Sequence, residues 1–275
     1  MIPINASRIS SVSVIMPTYN EAGNIVALME SSIHELKTAG LEKIEIIVVD
    51  DNSPDRTWEL AEKVQSDDAS IRVIRRMANH GLTASIKEGI DLAKNEVIVW
   101  LDCDFSHPPE KIPQILYMID QGFDIAVNSR YIIGGGEERV GKGGPLQRLL
   151  STTLNWFIRF FLYPAFSDYT SGFVAVRKEI IQTIGLRGDY GEYFVDFIFR
   201  AIKGRYQVCE LPYWAPPRRS GESKTGKNLL DYLRRGCKYI GTVLKLRLQS
   251  QYIIPRSKML DPNQSQAVVR NPAEA

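Results

Sequence analysis

Short apolar segments alternate with amphipathic ones along the first half of the chain. Each apolar segment holds four to seven residues rich in Val and Ile, which is typical of strands buried on both faces. These predicted strands lie at 12–17, 44–50, 71–74, 96–101 and 124–129. Between them, apolar residues recur at helical spacing and predict helices at about 23–38, 55–66, 82–94 and 109–121. Repeated strand–helix–strand units predict an α/β fold with a mostly parallel sheet flanked by helices.

The second half of the chain is less regular and predicts amphipathic helices beside the last strands. Residues 134–144 (GGGEERVGKGG) predict a glycine-rich loop, and a helix follows from Leu146 to Tyr163. Further strands are predicted at 172–176 and 206–211, and a last helix near 227–249. We therefore expect one domain over residues 1–250. The polar composition of 251–275 predicts a disordered tail.

Overall composition is ordinary, but positive charge is concentrated near the C-terminus. The chain has 275 residues, of which 44% are hydrophobic and 24% charged, with a net charge of +2. This balance argues against a dedicated nucleic-acid-binding protein. From residue 201 to 258, however, thirteen Lys or Arg residues face only three acidic ones. That excess favours an anionic partner such as a phosphate or a lipid headgroup, with a solvated basic face as the alternative.

Cysteine usage and hydropathy limit the cellular compartments that the chain fits. Three scattered cysteines predict neither a disulfide framework nor a zinc site and fit a reducing compartment. The first residues, MIPINASRISS, lack the apolar core of a signal peptide. No run of 18 uncharged apolar residues occurs, so we predict no transmembrane helix. We expect a soluble or peripheral protein.

Polar residues gather where the predicted strands end, at 17–21, 50–53, 102–104 and 129–130. Ligands bind at the carboxyl ends of parallel strands, so these residues are candidates for one site. Asp102 and Asp104 would point to the same side of an extended chain, about 7 Å apart, where two carboxylates repel each other. A divalent cation such as Mg²⁺ or Mn²⁺ would make the pair tolerable, because it prefers oxygen ligands. The same cation would grip the diphosphate of a nucleotide sugar.

The carboxylate pair also fits two roles without a nucleotide sugar. It can be an acidic turn that caps the helix at 109, or belong to a phosphatase with an aspartyl nucleophile, although that nucleophile is expected on the first strand. The segments 136–143 and 221–228 nearly match a P-loop, but both lack the Ser or Thr hydroxyl that binds Mg²⁺. No GxGxxG fingerprint follows the first strand.

Six sequence motifs lie along the chain at or near the ends of the predicted elements. They are VIMPTYNE (14–21), VVDDNSPDRT (48–57), DCDFSHPP (102–109), NSRY (128–131), DYTSGFVAVRKE (168–179) and GESKTG (221–226). Together they resemble glycosyltransferase family two, which has the GT-A (Rossmann-like) fold. They resemble most the dolichyl-phosphate, or polyprenol monophosphate, mannose synthases, over roughly residues 12 to 245. The resemblance implies a nucleotide-binding half at about 12–130 and an acceptor-binding half at about 131–250.

The resemblance implies roles for individual residues. Asp104, Arg130 and Arg218 would be the catalytic residues, and Arg130 and Arg148 would bind the acceptor phosphate. The metal, Mg²⁺ or Mn²⁺, would be held by Asp102, Asp104 and Ser106. Adjacent Arg219 is an alternative to Arg218. The nucleotide sugar would contact Pro17, Tyr19, Glu21, Val49, Asp51, Asp102, Cys103, Asp104, Lys178, Arg218 and Lys224.

The implied reaction is inverting, metal-dependent transfer of mannose from GDP-mannose to a dolichyl or polyprenyl phosphate. A phosphate monoester needs no general base because its second pKa is near 6 and it arrives anionic. One alternative is a polyprenyl-phosphate transferase for glucose or another sugar that uses a UDP-sugar. Another, of a different class, is a non-catalytic nucleotide-sugar-binding subunit of a membrane complex.

Two helical segments predict contact with a membrane surface. On the helix at 146–163, a polar stripe opposes a wide apolar face, which fits either a core helix or a helix lying on lipid. The last helix carries a second apolar stripe with basic residues opposite. We expect peripheral binding on the cytoplasmic side of a membrane, either directly or through a small membrane partner subunit. The second stripe is Leu229, Leu233, Cys237, Ile240, Leu244 and Leu248.

Overall fold

A seven-stranded sheet forms the centre of the protein. The computed structural model describes residues 9–138, 144–221 and 229–249. Its strands are β1 (Ser11–Thr18), β2 (Lys43–Asp50), β3 (Ile71–Arg75), β4 (Val97–Trp100), β5 (Ile125–Ser129), β6 (Gly136–Glu137), β7 (Val174–Arg177), β8 (Val208–Pro212) and β9 (Trp214–Ala215). The order in the main sheet is β3-β2-β1-β4-β7-β5-β8, and β6 pairs with β9 in a separate two-stranded sheet. Only β7 runs antiparallel to its neighbours in the main sheet.

Helices cover both faces of this sheet. They are α1 (Ile25–Thr38), α2 (Thr57–Gln65), α3 (Leu82–Leu92), α4 (Ile112–Asp120), α5 (Gly144–Phe161), α6 (Lys178–Ile184), α7 (Glu192–Lys203) and α8 (Leu229–Gln249). A short 3₁₀ turn, Pro109–Lys111, precedes α4. The predicted α/β class and mostly parallel sheet are confirmed. The predicted tail at 251–275 lies outside the described residues.

Alternating side chains of the central strands build two cores. On β1, Val14 packs on the face that also buries Leu28 of α1, whereas Ile15 packs on the opposite face with Ile86 and Ile90 of α3. These side chains are at most 4% exposed. Because both faces are buried, the strands appear in the sequence as nearly continuous apolar runs.

Two features of the sheet differ from the sequence prediction. The strand expected at 172–176 begins at Val174, because Gly172 has a φ of +70°, which lies outside the extended region. This strand enters between β4 and β5 in the reverse direction. Within the expected loop 134–144, residues Gly136–Glu137 pair with β9 instead. Residues 139–143 lie outside the described part of the chain.

Helices α5 and α8 expose apolar side chains. Within α5, the polar Asn155 is buried, whereas Trp156 and Phe160 are 63% and 66% exposed. Within α8, Val243 is buried, whereas the predicted apolar stripe is exposed at Ile240, Leu244 and Leu248. No helix in the described ranges is both long enough and apolar enough to span a bilayer.

We predict that the contact between α3 and β1 limits the size of residue 89. A Cβ atom at Gly89 would lie 2.5 Å from Cγ2 of Ile15, which is fully buried. Gly89→Val should therefore lower the free energy of unfolding by roughly 1–3 kcal/mol through overpacking. The measurement is urea unfolding followed by circular dichroism.

Gly241→Ala in α8 is the matched control, because no atom lies within 4 Å of its Cβ position. Alanine there should raise stability by roughly 0.5–1 kcal/mol. Equal stability of Gly89→Val and wild type would contradict this packing argument.

Candidate active site

The loops after β1 and β2 are joined at the carboxyl edge of the sheet. The amide of Asn20 donates to Ser53 Oγ at 3.0 Å, and the amide of Glu21 donates to Thr57 Oγ1 at 2.9 Å. Asp50 accepts from both the amide and the hydroxyl of Ser53, at 2.8 and 2.6 Å. Asp50 therefore braces the turn.

The predicted nucleoside contacts occupy different environments. Tyr19 is 44% exposed, as expected of an aromatic residue that stacks against a base. Pro17 is half-buried just before it. The side chain of Val49 is completely buried in the core, so its predicted nucleoside contact would come from the main chain. That contact stays a prediction.

Asp51 is fixed by a buried arginine that the sequence patterns did not single out. Asp51 Oδ1 accepts from Arg76 Nη1 at 2.5 Å and from Ser85 Oγ at 2.9 Å. Asp51 Oδ2 accepts from the amide of Gly81 at 2.6 Å. Arg76 also pairs with Glu88 at 2.8 Å. The one available signal was the basic pair Arg75–Arg76 at the carboxyl end of β3. The other candidate site residues also lie at the carboxyl ends of strands.

Asp102 and Asp104 follow β4 on a turn that several contacts hold. Asp104 is buried, and the amide and hydroxyl of Ser106 both donate to its Oδ1, at 2.9 and 2.5 Å. Asp102 is exposed at the carboxyl edge of the sheet, in the cleft formed by the loops after β1, β2, β4 and β5. The thiol of Cys103 donates to the carbonyl of Pro17 at 3.4 Å. The turn is thereby attached to the nucleoside loop.

The two carboxylates differ in acidity. The low-dielectric surroundings of the cleft walls, together with the charge of Asp104, raise the pKa of Asp102. Burial acts on Asp104 in the same sense. There, however, the Arg218 guanidinium and the hydrogen bonds from Ser106 outweigh burial and lower the pKa. Asp104 is thus the more readily ionised member of the pair.

His107 supports the turn from inside the protein. Its Nδ1 accepts the amide of Asp102 at 2.9 Å, and its ring stacks on Phe173 at 4.9 Å between centroids. The proton of the neutral ring therefore sits on Nε2. Burial lowers the pKa of His107. His107 is therefore a structural residue of the turn.

Arg218 reaches across the cleft from the segment after β9. Its Nη2 lies 2.7 Å from Asp104 Oδ2, and its Nη1 donates to Glu21 Oε1 at 3.0 Å. The amide of Arg219 donates to the carbonyl of Asp104 at 3.0 Å, while its guanidinium lies over Phe105. The structure therefore brings Arg218, rather than Arg219, to the carboxylates. Lys224 lies outside the described residues.

Arg130 directly follows β5 at the carboxyl edge of the sheet, as predicted, and its guanidinium pairs with other protein groups. Its Nε and Nη2 each donate to Asp168 at 2.9 Å, and Nη2 also donates to Thr170 at 2.9 Å. Glu137 lies 3.5 Å from Nη1. One positive charge thus faces two carboxylates. Binding of the acceptor phosphate by Arg130 stays a prediction, in which the phosphate would share the guanidinium with these partners or replace one of them.

Glu210 on β8 holds the main chain of the segment that carries Asp168. Its two carboxylate oxygens accept the amides of Ser167 at 2.7 Å and Asp168 at 2.9 Å. Burial raises the pKa of Glu210 to about 7, although hydrogen bonds from Ser129 and the two amides oppose the shift. Neither Asp168 nor Glu210 was predicted as a site residue from the sequence. The motif 168–179 contained the first, but no spacing indicated its pairing with Arg130.

Lys178 is placed away from the other predicted site residues. It follows β7, which runs antiparallel to β4, so it lies beside the amino end of β4. Its Nζ donates to the carbonyl of Ala93 at 2.6 Å. The predicted phosphate contact is corrected, because Lys178 stands at the opposite edge of the sheet from Asp102. Arg148 is exposed on α5.

The oxygen ligands at the β4 turn suit a hard divalent cation. Within the described ranges, no group of three or more His, Cys, Asp or Glu side chains could hold a metal. The turn offers two carboxylates and the Ser106 hydroxyl. Mg²⁺ commonly binds through one or two carboxylates and completes its shell with water and substrate phosphates. The donor set therefore fits such an ion when a diphosphate is present.

Comparison with known protein families identifies the family of this chain. The model of the family "Glycosyl transferase family 2" matches residues 13–185, which include every strand end of the cleft up to β5. This chain belongs to glycosyl transferase family 2. The enzymes of this family are glycosyltransferases, which is the class that the sequence motifs predicted.

Two relatives with more specific names are similar to this chain over most of its length. The chain is 39% identical over 228 residues to a dolichol-phosphate mannosyltransferase of Pyrococcus furiosus, covering 81% of this chain and 62% of that protein. It is 36% identical over 227 residues to the polyprenol monophosphomannose synthase of Mycolicibacterium smegmatis, covering 79% and 82%. The chain thus spans less than two thirds of the Pyrococcus relative.

Solved structures share the fold at low sequence identity. Mannosyl-3-phosphoglycerate synthase from Rubrobacter xylanophilus has a TM-score of 0.61 at 16% identity, covering 93% of this chain and 78% of that one. Glucosyl-3-phosphoglycerate synthase from Mycobacterium tuberculosis, with Mn²⁺, UDP-glucose and phosphoglyceric acid, has a TM-score of 0.62 at 18% identity, covering 90% and 81%. These matches confirm the GT-A-like architecture of the family 2 chain.

We predict that Glu210 makes stability depend on pH. The folded carboxyl keeps its proton up to a pH of about 7, whereas the unfolded one loses it near 4.5. The unfolded state binds fewer protons between these values, so stability falls as pH rises through this window. The difference in unfolding free energy between wild type and Glu210→Gln should decrease by roughly 3 kcal/mol from pH 4.5 to pH 8.

Urea unfolding of both proteins across this range measures the difference, in which the other titrating groups cancel. A difference that does not change with pH would show that Glu210 keeps an ordinary pKa.

Proposed function

We propose that this chain transfers mannose from GDP-mannose to a dolichyl or polyprenyl phosphate, with inversion and with the help of Mg²⁺ or Mn²⁺. The observation that carries the proposal is the carboxylate pair at the end of β4. Its turn is linked through Cys103 to Pro17, near the end of β1 just before the exposed Tyr19, and Arg218 pairs with Asp104. The names of the two relatives support mannose as the sugar and a polyprenyl phosphate as the acceptor.

The carboxylate pair would hold the metal. Asp102 and Asp104 are the ligands, with Ser106 as a third oxygen beside Asp104. A divalent ion bound there neutralises the charge that develops on the departing diphosphate. Arg218 adds a second positive charge on the same side of the cleft. The loops after β1 and β2 orient the nucleoside through Tyr19, Glu21 and Asp51.

The acceptor phosphate would attack the anomeric carbon of mannose directly. A phosphate monoester is anionic near neutral pH, so no side chain has to remove a proton from it. His107 agrees with this scheme, because it is only 3% exposed and its Nδ1 is committed to the amide of Asp102. One displacement at the anomeric carbon inverts its configuration.

A lipid acceptor requires the protein to reach a membrane. The apolar face of α5 and α8 comprises Leu149, Trp156, Phe160, Ile240, Leu244 and Leu248, all between 41% and 77% exposed. Arg247 joins Phe160 and Leu244 in lining a groove of about 470 Å³. Basic residues beside an apolar face favour an anionic bilayer surface. We propose that this face binds the cytoplasmic leaflet, directly or through a small membrane partner subunit.

Asp104→Asn tests the proposed activity. It keeps the size of the side chain but removes the charge, so transfer of mannose from GDP-mannose to a short polyprenyl phosphate should fall at least about a hundredfold. Radiolabelled mannose extracted with the lipid product measures the rate. Glu62→Gln, an exposed change on α2, is the control for loss of one negative charge.

Two results would contradict the role of the carboxylate pair. One is wild-type turnover by Asp104→Asn with an unchanged circular dichroism spectrum. The other is full activity of the wild-type protein in excess chelator.

Trp156→Ser combined with Phe160→Ser tests the membrane face. Burying one large apolar side chain contributes roughly 1.5–3 kcal/mol, so the double variant should lose roughly tenfold or more in partitioning to vesicles. Flotation with phosphatidylcholine vesicles containing phosphatidylserine measures this, and binding should weaken as salt rises. Met77→Ser is the control, because Met77 is 66% exposed outside α5 and α8.

Equal flotation of wild type and the double variant would exclude this face. If the wild type binds neither vesicles nor any membrane partner, the proposed localisation is wrong.

A further inference from the structure

Arg218 holds the carboxylate that the proposed metal site needs. Its Nη2 lies 2.7 Å from Asp104 Oδ2. The other oxygen, Oδ1, already accepts two hydrogen bonds from Ser106. A metal ion that binds Asp104 through Oδ2 therefore meets the guanidinium at the same oxygen. The two cations compete at that oxygen, because they repel each other and the guanidinium already uses one of its lone pairs.

The same guanidinium also holds Glu21, which belongs to the proposed nucleoside-binding loop. Nη1 donates to Glu21 Oε1 at 3.0 Å. Arg218 thus bridges the turn after β4 and the loop after β1. An arginine stays charged throughout the ordinary pH range, so this bridge always places one positive charge between the two carboxylates.

The segment that carries Arg218 is anchored independently of the guanidinium. The amide of Arg219 donates to the carbonyl of Asp104 at 3.0 Å. Asn24 Nδ2 donates to the carbonyl of Ser220 at 3.2 Å. The main chain can therefore stay in place while the half-buried Arg218 side chain changes partner. An arginine has enough rotatable bonds to move its guanidinium by several ångströms without any movement of the main chain.

We propose that Arg218 competes with the divalent metal for Asp104 and thereby couples metal binding to donor binding. The proposal rests on the proposed function, because it assumes the metal and the diphosphate donor named there. Without donor, the guanidinium pairs with both Asp104 and Glu21. When the diphosphate enters, it offers Arg218 a new anionic partner, and Asp104 is released to the metal while Glu21 is released to the nucleotide.

Reciprocity follows from this exchange. The bond between Arg218 and Asp104 opposes metal binding in the donor-free protein and opposes it less once a diphosphate is bound. The diphosphate therefore tightens metal binding, and by linkage the metal tightens diphosphate binding by the same factor. Part of this coupling comes from direct contact between metal and phosphate. The part that Arg218 carries should disappear when Arg218 is replaced.

The test measures Mn²⁺ binding rather than activity. Free Mn²⁺ is followed by electron paramagnetic resonance during titration of wild type, Arg218→Gln and Arg219→Gln, each with and without GDP. Without GDP, Arg218→Gln should bind Mn²⁺ at least roughly fivefold more tightly than wild type, the lower end for linked sites. Arg219→Gln removes the same charge from the same segment, but its guanidinium lies over Phe105, so its Mn²⁺ affinity should stay at the wild-type value.

The presence of GDP separates the two proposals. GDP should strengthen Mn²⁺ binding by a larger factor in wild type than in Arg218→Gln. Equal Mn²⁺ affinity of wild type and Arg218→Gln without GDP would overturn the competition and leave the proposed function standing. An equal gain in Arg219→Gln would overturn it too, since the effect would then be general charge removal. Absence of Mn²⁺ binding in every protein, with and without GDP, would overturn the metal-dependent function itself.

A second substitution guards against misfolding. Circular dichroism and thermal unfolding establish that each variant is folded. Arg218→Lys keeps the positive charge but cannot bridge Asp104 and Glu21 with two nitrogens. Its Mn²⁺ affinity without GDP should lie between those of wild type and Arg218→Gln. An affinity above that of Arg218→Gln would contradict competition by charge.

Discussion

Two carboxylates at the end of a buried strand constrain the rest of this site. Asp102 and Asp104 follow β4, where low-dielectric surroundings penalise negative charge and the two carboxylates repel each other. Positive charge must therefore come from elsewhere in the chain or from a bound ion. Arg218 supplies part of it from more than a hundred residues away. The Ser106 hydrogen bonds and the His107 bond to the turn fix where that charge is needed.

The second half of the cleft follows the same rule with protein charges alone. Arg130 faces Asp168 and Glu137, and Glu210 holds the segment that presents Asp168. Asp51 and Arg76 form a third buried pair at the nucleoside end. Partners within the protein fix each of these carboxylates in orientation. The β4 turn differs, because its main cationic partner is a half-buried side chain on a surface segment, and this makes exchange with a metal ion feasible.

Sequence patterns predicted the parts of the structure that depend on local chemistry. Val and Ile runs indicate strands buried on both faces, and polar clusters at their ends meet because parallel strands finish at one edge. Long-range pairings were beyond that reasoning. Lys178 was misplaced because β7 enters the sheet antiparallel, and only the assembled topology reveals its direction. Asp168 and Glu210 were missed for a similar reason. Asp168 meets Arg130, and Glu210 meets the main chain of Asp168, only after β7 and β8 flank β5.

The central claim is that the Asp102–Asp104 turn binds a divalent cation together with a nucleoside diphosphate. The most direct test is anomalous diffraction from crystals grown with Mn²⁺ and GDP. The account predicts one strong anomalous peak about 2–2.5 Å from a carboxylate oxygen of Asp104, with both phosphates of GDP in contact with it. It would be contradicted by GDP bound in the cleft with the anomalous peak elsewhere, or with Arg218 still paired to Asp104 and no peak at the turn.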